Sequence, residues 1–347
     1  MYSAEFSAVS AELEALRAYL RSASSIRLAL SIARDQSEPT LLENLLFEAS
    51  ALAPDPVRLR IMDHILVVSR LYSVYEAYCE NAVANWIDFL SKSYPFSKLP
   101  PKLHESYKAG FTTVLSMLPS QRFPLLTVDE LVKNYHNALS GSAEYTLNAE
   151  CVTFHKNNLR WSELCELFGR ASIEGIGRWV SLSQRMVSYF DGNPERISDQ
   201  LSSKLDKLVQ YRNDCSHGLV DIDEILGPDE LLDLITFVWV LCTTLRDFFE
   251  SNAFEKLHEL GRLREIGIVS EVFAKAGAVV ILSKGGRIST GQKVVLAGRL
   301  GFFGAEITSI QIEGRSEVTV ESAAGQEVGL KLDALPRQNS RIFAILD

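Results

Sequence analysis

QYRNDCSH, residues 210–217, stands where a long amphipathic run gives out. The run begins at Asn193-Pro194-Glu195, where Asn can cap, Pro suits the first turn and an acidic residue complements the helix dipole. Leu201, Leu205 and Leu208 supply its apolar face, and Gly218 follows as a stop. The octapeptide is therefore read as the end of a helix. Two readings stay open at this point. Arg212 and His217 are dipole-friendly residues at a helix C-terminus, or they are the chemistry of the protein. On a straight helix, residues five apart are roughly 140° apart around the axis. The two side chains would then meet only if the helix ends between them or if they converge across an interface.

Outward from this stretch the chain is mostly helical. Residues 3–34 carry Leu13, Leu16, Leu20, Ile26, Leu28, Leu30 and Ile32 at steps compatible with one helix. A second helix is expected from about Val57 to Ser91, with Ile61, Ile65, Val68, Leu71, Tyr72, Tyr75 and Tyr78 on one stripe. Pro95, Pro100 and Pro101 interrupt the chain. Residues 100–170 read as an insertion of short helical pieces around a polar loop, with no assigned role. PDELLDLITFVWVLCTTLRDFFESNAFEKLHEL, beginning at Pro228, is apolar nearly all round, as suits the centre of a bundle. Beyond Lys275 the period changes to short β-rich runs (AVVILSK, QKVVLAGR, AEITSIQIEGR, EVTVES, EVGLKLD, RIFAILD) separated by turn residues. The expected architecture is mainly α: a helical bundle over 1–265, then a small all-β barrel over 275–347.

Composition narrows the function. The net charge is −9, which argues against broad, sequence-blind nucleic-acid binding. From Lys275 onward nine basic residues meet seven acidic ones, leaving 26 against 37 in the helical part. The acidic part thus carries the Arg/His stretch. Five scattered cysteines without CxxC or zinc spacing point to a reduced, cytosolic setting. The N-terminus lacks the basic and apolar regions of a signal peptide. The most apolar window, Leu231 to Phe249, is broken by Asp233 and Arg246, so no membrane span is expected.

Other candidates are weaker. His64 follows Arg60 by four, a spacing that suits surface or packing roles, and His104, His136, His155 and His258 have no neighbours in sequence that suggest a site. SKGGRISTG, from Ser283, lacks the strand and helix that flank a phosphate-binding loop and reads as a β-turn. No cofactor site is read from the chain.

Tyr-Arg-Asn-x-x-x-His-Gly at a helix end resembles the Arg-x4-6-His signature of the HEPN superfamily, in which Asn often follows the Arg and a small residue precedes the His. Asn213 and Ser216 fill those places. HILVVSRLYSVYEAYCENAV, with Tyr72, Tyr75 and Glu76 as Tyr-x-x-Tyr-Glu, resembles the corresponding helix of the RiboL-PSP and MAE-type branch. Cys215 stands where that branch often has a small aliphatic residue. The resemblance implies a helical bundle that forms a homodimer with two motifs facing each other, and metal-independent RNA cleavage. Arg212 and His217 would be the catalytic pair, supported by Asn213, Glu76 and Tyr211. The residue types suit the chemistry, because His titrates near neutrality and Arg offers a permanently charged planar fork to phosphate. For Glu76 two readings stand equally: an ion pair with Arg212, or satisfaction by Tyr hydroxyls.

Gly291 to Leu296 and Ala324 to Leu332 resemble the second, β-barrel domain of translational GTPases. No GTPase domain accompanies it, so no GTP hydrolysis is implied. The combined expectation is a cytoplasmic HEPN endoribonuclease, a toxin or antiphage effector acting on RNA such as tRNA, with an antitoxin or defence-complex protein as partner. The alternative is a non-catalytic HEPN subunit that regulates or assembles a defence or restriction complex.

Overall fold

The computed structural model describes residues 3–34, 41–118, 123–217, 225–298 and 301–346. The chain divides into two compact units, Met1–Arg246 and Asp247–Asp347.

The first unit is helical. Helices α1 (Ser3–Arg34) and α2 (Leu41–Leu52) pack together, and α1 lies on α3 (Pro56–Ser93). Helix α3 starts where Asp55 accepts the backbone N–H groups of Val57 and Arg58, both at 3.0 Å, with Pro56 in the first turn. Its inner face buries Val67, Leu71, Tyr75, Cys79, Trp86 and Leu90, which makes it the axis of the unit. Asp63 on its first half takes the Tyr19 hydroxyl at 2.7 Å and an ion pair from Arg27, tying α1 to α3.

The stretch after the prolines folds into short helices: α4 (Pro101–Met117), α5 (Val128–Leu139), α6 (Glu150–Thr153), α7 (Trp161–Arg170), α8 (Ile176–Leu182) and α9 (Gln184–Phe190). Thr127 caps α5 by accepting the Glu130 N–H. Gly110 lets α4 meet the backbone of α6, because a Cβ there would stand 1.6 Å from the Cys151 carbonyl oxygen. Trp86 Nε1 donates to the Ala171 carbonyl at 3.1 Å, fastening the end of α7 to α3. The expected helix at the motif is α10 (Pro194–His217), and the apolar one is α11 (Pro228–Glu259). Gly218, expected to stop α10, lies outside the described residues. No helix among the described residues is long and apolar enough to cross a membrane.

The second unit holds a closed barrel. Strands β1 (Leu263–Phe273), β2 (Ala278–Ser289), β3 (Lys293–Gly298), β4 (Gly301–Ile312), β6 (Thr319–Leu332) and β7 (Arg341–Ile345) pair antiparallel in the order β3-β7-β1-β2-β6-β4, and β3 pairs again with β4. The short β5 (Arg315–Glu317) pairs with β4. Ile266, Val279, Ile281, Ile307, Val328 and Ile342 are among the side chains that fill the interior.

The strands differ in detail from the expected runs. Strand β1 was not among them, because Arg264, Glu265 and Glu271 interleave its apolar residues and two register shifts interrupt its pairing. EVTVES and EVGLKLD form one strand, β6. Of SKGGRISTG, residues 283–289 are the bent second half of β2, and only Thr290 and Gly291 lie in a turn. Gly285 and Gly286 have φ of 93° and 106° there, conformations that only glycine adopts without strain. Ser322 secures the bend with a 2.9 Å hydrogen bond to the Gly286 carbonyl.

Candidate functional site

Helix α10 packs against α3, and this brings the two sequence motifs together. The Arg212 guanidinium lies over the ring of Tyr72, 5.3 Å from its centre. Its Nη1 donates to Asn213 Oδ1 at 3.3 Å, and the same oxygen accepts Asn158 Nδ2 at 2.7 Å. The other N–H groups of the fork have no hydrogen-bond partner among the described residues. That leaves a permanently charged group half-buried at a helix end, oriented by a ring and an amide.

The position of Glu76 decides between its two readings in favour of the tyrosine. The Tyr72 hydroxyl donates to Glu76 Oε1 at 2.7 Å and accepts the Leu159 N–H at 2.9 Å. No ion pair joins Glu76 to Arg212 among the described residues. Burial, then the hydrogen bond to Glu76, raises the Tyr72 hydroxyl far above its ordinary pKa, so it stays a donor. Tyr72→Phe would keep the ring beneath Arg212 but leave the buried Leu159 N–H without an acceptor. The expected cost is about 1–3 kcal/mol, read by urea unfolding.

Tyr211 stands edge-on to His64, with ring centres 5.7 Å apart. On its other side it reaches the wall of a cavity of about 700 Å³ between α10 and the start of α11. Arg196, Lys204 and Lys207 line that cavity, offset by Asp199, Asp229 and Asp233. It therefore offers no purely basic track. His217 is the last residue of α10; its side chain lies outside the described residues. Cys215, beside the motif, has its thiol pushed up to about 11 by burial and by Asp214, so it is no thiolate nucleophile near neutrality.

The family model for HEPN_MAE_28990-like HEPN matches residues 3–256. The chain belongs to this HEPN family. No curated protein matches it. Membership points to a nuclease or RNA-binding related function.

Within this HEPN unit, His64 is a packing residue. It is 1% exposed, and its Nδ1 accepts the Leu226 N–H at 3.1 Å. Burial lowers its pKa below the ordinary 6.5, outweighing the opposite pull of Asp214. Below that pH the unfolded chain therefore binds the proton more readily than the folded one. The stability that the neutral ring contributes is present above about pH 6.5 and lost as pH falls. The midpoint of urea unfolding should drop between pH 7.5 and 5.5, and drop less in His64→Asn.

Sequence reasoning missed His155. It follows α6 in an irregular segment, and Nε2 lies 3.1 Å from Glu80 Oε1 and 4.0 Å from Glu76 Oε1. Its Nδ1 lies 2.6 Å from the Asn157 carbonyl oxygen. Both ring nitrogens face acceptors, an arrangement that suits the protonated ring, which donates from both. Its pKa is raised, chiefly by the hydrogen bond to Glu80. The available signal was on α3, where Tyr72, Glu76 and Glu80 recur every four residues on one face. Two carboxylates so spaced repel unless a cation sits between them. The histidine that supplies it is 75 positions from Glu80, beyond any local pattern.

Proposed function

We propose that this HEPN chain is an endoribonuclease that cleaves RNA without a metal ion, with Arg212 and His217 as its catalytic pair. The observation that carries the reading is the placement of Arg212: stacked on Tyr72, held by Asn213, and with most of its fork unpaired among the described residues. An arginine so held can grip the two non-bridging oxygens of a phosphodiester and the charge that builds on them during attack. His217, at the end of the same helix, accepts the proton of the ribose 2′-OH. The 2′-oxygen then bonds to phosphorus, the bond to the 5′-oxygen breaks, and the departing oxygen takes a proton from water, while the imidazolium returns its own to solvent. The products are a 2′,3′-cyclic phosphate and a 5′-OH end, with no metal ion in the balance. Two copies of the chain, each presenting its motif to the other, would complete the site. The cytoplasmic role that fits is a toxin or antiphage effector held in check by a protein partner.

Incubating the purified chain with total RNA and with tRNA in EDTA tests this. Cleavage leaving cyclic phosphate ends is expected. The net charge of −9 favours a second reading, a non-catalytic subunit that assembles with a separate defence nuclease. It predicts no cleavage by the chain alone and stable co-purification with a second protein.

A further inference from the structure

The segment that leads from α6 into α7 touches both motif helices, and it does so through polar groups. His155 is docked between Glu76 and Glu80 of α3. Four residues on, the Leu159 N–H bonds the Tyr72 hydroxyl, and the Leu159 carbonyl accepts the Tyr75 hydroxyl at 3.1 Å. Between them Asn158 donates to Asn213 on α10. Two routes therefore lead from this segment to Arg212, the first across a 4.0 Å contact between His155 and Glu76. One route runs from His155 through Glu76 and Tyr72 to the guanidinium stacked on that ring, and the other through Asn158 and Asn213 to the same guanidinium.

We propose that His155 is a positioning residue for Arg212, and that the 155–159 strap it anchors holds the Arg212–Asn213 pair in place. This rests on the reading of Arg212 as a phosphate-binding residue. The charged and titratable groups around the strap all bear on it. Glu76 and Glu80 face the imidazole from α3. Arg170 of α7 donates to the Phe154 carbonyl at 2.8 Å. From α10 come Arg212, and Asp206, which pairs with Arg160 at 3.1 Å. Lys156 follows His155 in the chain. The carboxylates are the groups nearest the ring, so a positive charge on it favours its docking against α3. A histidine with a raised pKa holds this arrangement fully below its ordinary value of 6.5 and releases it as pH rises through the raised value. The strap is therefore held below about pH 6.5 and loosens as pH rises through the raised value.

Amide hydrogen exchange of the full chain, corrected for intrinsic rates, reads the strap directly. Segments 154–160 and 207–216 are followed from pH 6 to 9 in wild type, His155→Ala and His155→Lys, with RNA cleavage measured in parallel. In His155→Ala both segments should exchange about tenfold faster at pH 7. Its kcat should fall about tenfold with KM unchanged, as for a change that displaces a transition-state contact. His155→Lys keeps a charge between the carboxylates, so the loosening of the wild-type strap with rising pH should be smaller in this variant. If segment 207–216 exchanges alike in wild type and His155→Ala, the proposal is overturned. Should His155→Ala loosen the whole unit, Asn158→Ala decides: it severs the link to Asn213 alone and must speed 207–216, or the strap does not position the motif. A wild-type chain that cleaves no RNA removes the endoribonuclease reading, while the exchange data still decide the strap.

Discussion

Arg212→Ala and His217→Ala should each lower the proposed RNA cleavage by about 1,000-fold or more. The magnitude follows from the two tasks. Losing a donor aimed at charge that develops in the transition state costs roughly 100- to 1,000-fold, and losing a positioned acid–base group roughly 100- to 10,000-fold. The two act on one step, so the double variant should be little worse than either single one. Arg212→Lys is a sharper probe. It keeps the charge but loses the planar fork and the stacking on Tyr72, so it should recover only a small part of the rate. The folded state should barely notice, because a half-exposed cation over a ring contributes about 0.5–1 kcal/mol. Cleavage rates on tRNA beside urea unfolding curves separate lost chemistry from lost structure. Full activity in His217→Ala would refute the mechanism.

Gly110→Ala is expected to destabilise the helical unit by about 3 kcal/mol or more, at the upper end of what one added methyl does in a packed interior. The obstacle to the new Cβ is a carbonyl oxygen of the α6 backbone, 1.6 Å away, and no rotamer change can move it. Relief requires α4 and α6 to separate, which also breaks the approach of Tyr107 to the Asn148 N–H, now 3.2 Å. Gly177→Ala is the matched control. That glycine lies in α8 with nothing within 4 Å of the added carbon, so the change should be neutral or stabilise by up to about 1 kcal/mol. Equal unfolding midpoints for the two variants would show that α4 and α6 are not so tightly apposed. Because α6 leads directly into the strap, Gly110→Ala should also weaken whatever the strap supports.

The long helices were legible because their signals are local. Asn193-Pro194 marks a start, and leucines and tyrosines at helical spacing mark buried faces. The motif at the end of α10 could be read as a motif, and its partner helix α3 with it. What could not be read were relations between distant residues. That Glu76 takes a tyrosine hydroxyl instead of Arg212 depends on where α10 crosses α3. The contacts of His155, Asn158 and Leu159 join an aperiodic segment to helices tens of residues away, and no spacing rule reports them. Strand β1 was hidden for a different reason: its bulges break the alternation by which a strand is recognised. SKGGRIS misled because two glycines ordinarily signal a turn, whereas here they bend a strand that continues.

Ring closure of the C-terminal sheet has a consequence for solubility and for partners. An open sheet presents a row of unpaired N–H and C=O groups to which a strand of another molecule can add, the route by which β-proteins aggregate or recruit extended peptides. In this barrel β3 meets both β4 and β7, so the main ring leaves no such row. Among the described residues, only β5 is paired on one side, and it is three residues long and carries Arg315 and Glu317. Any protein that docks on this unit must therefore recognise side chains on its outer wall, and crowding many copies in a small volume should not zip them into fibres.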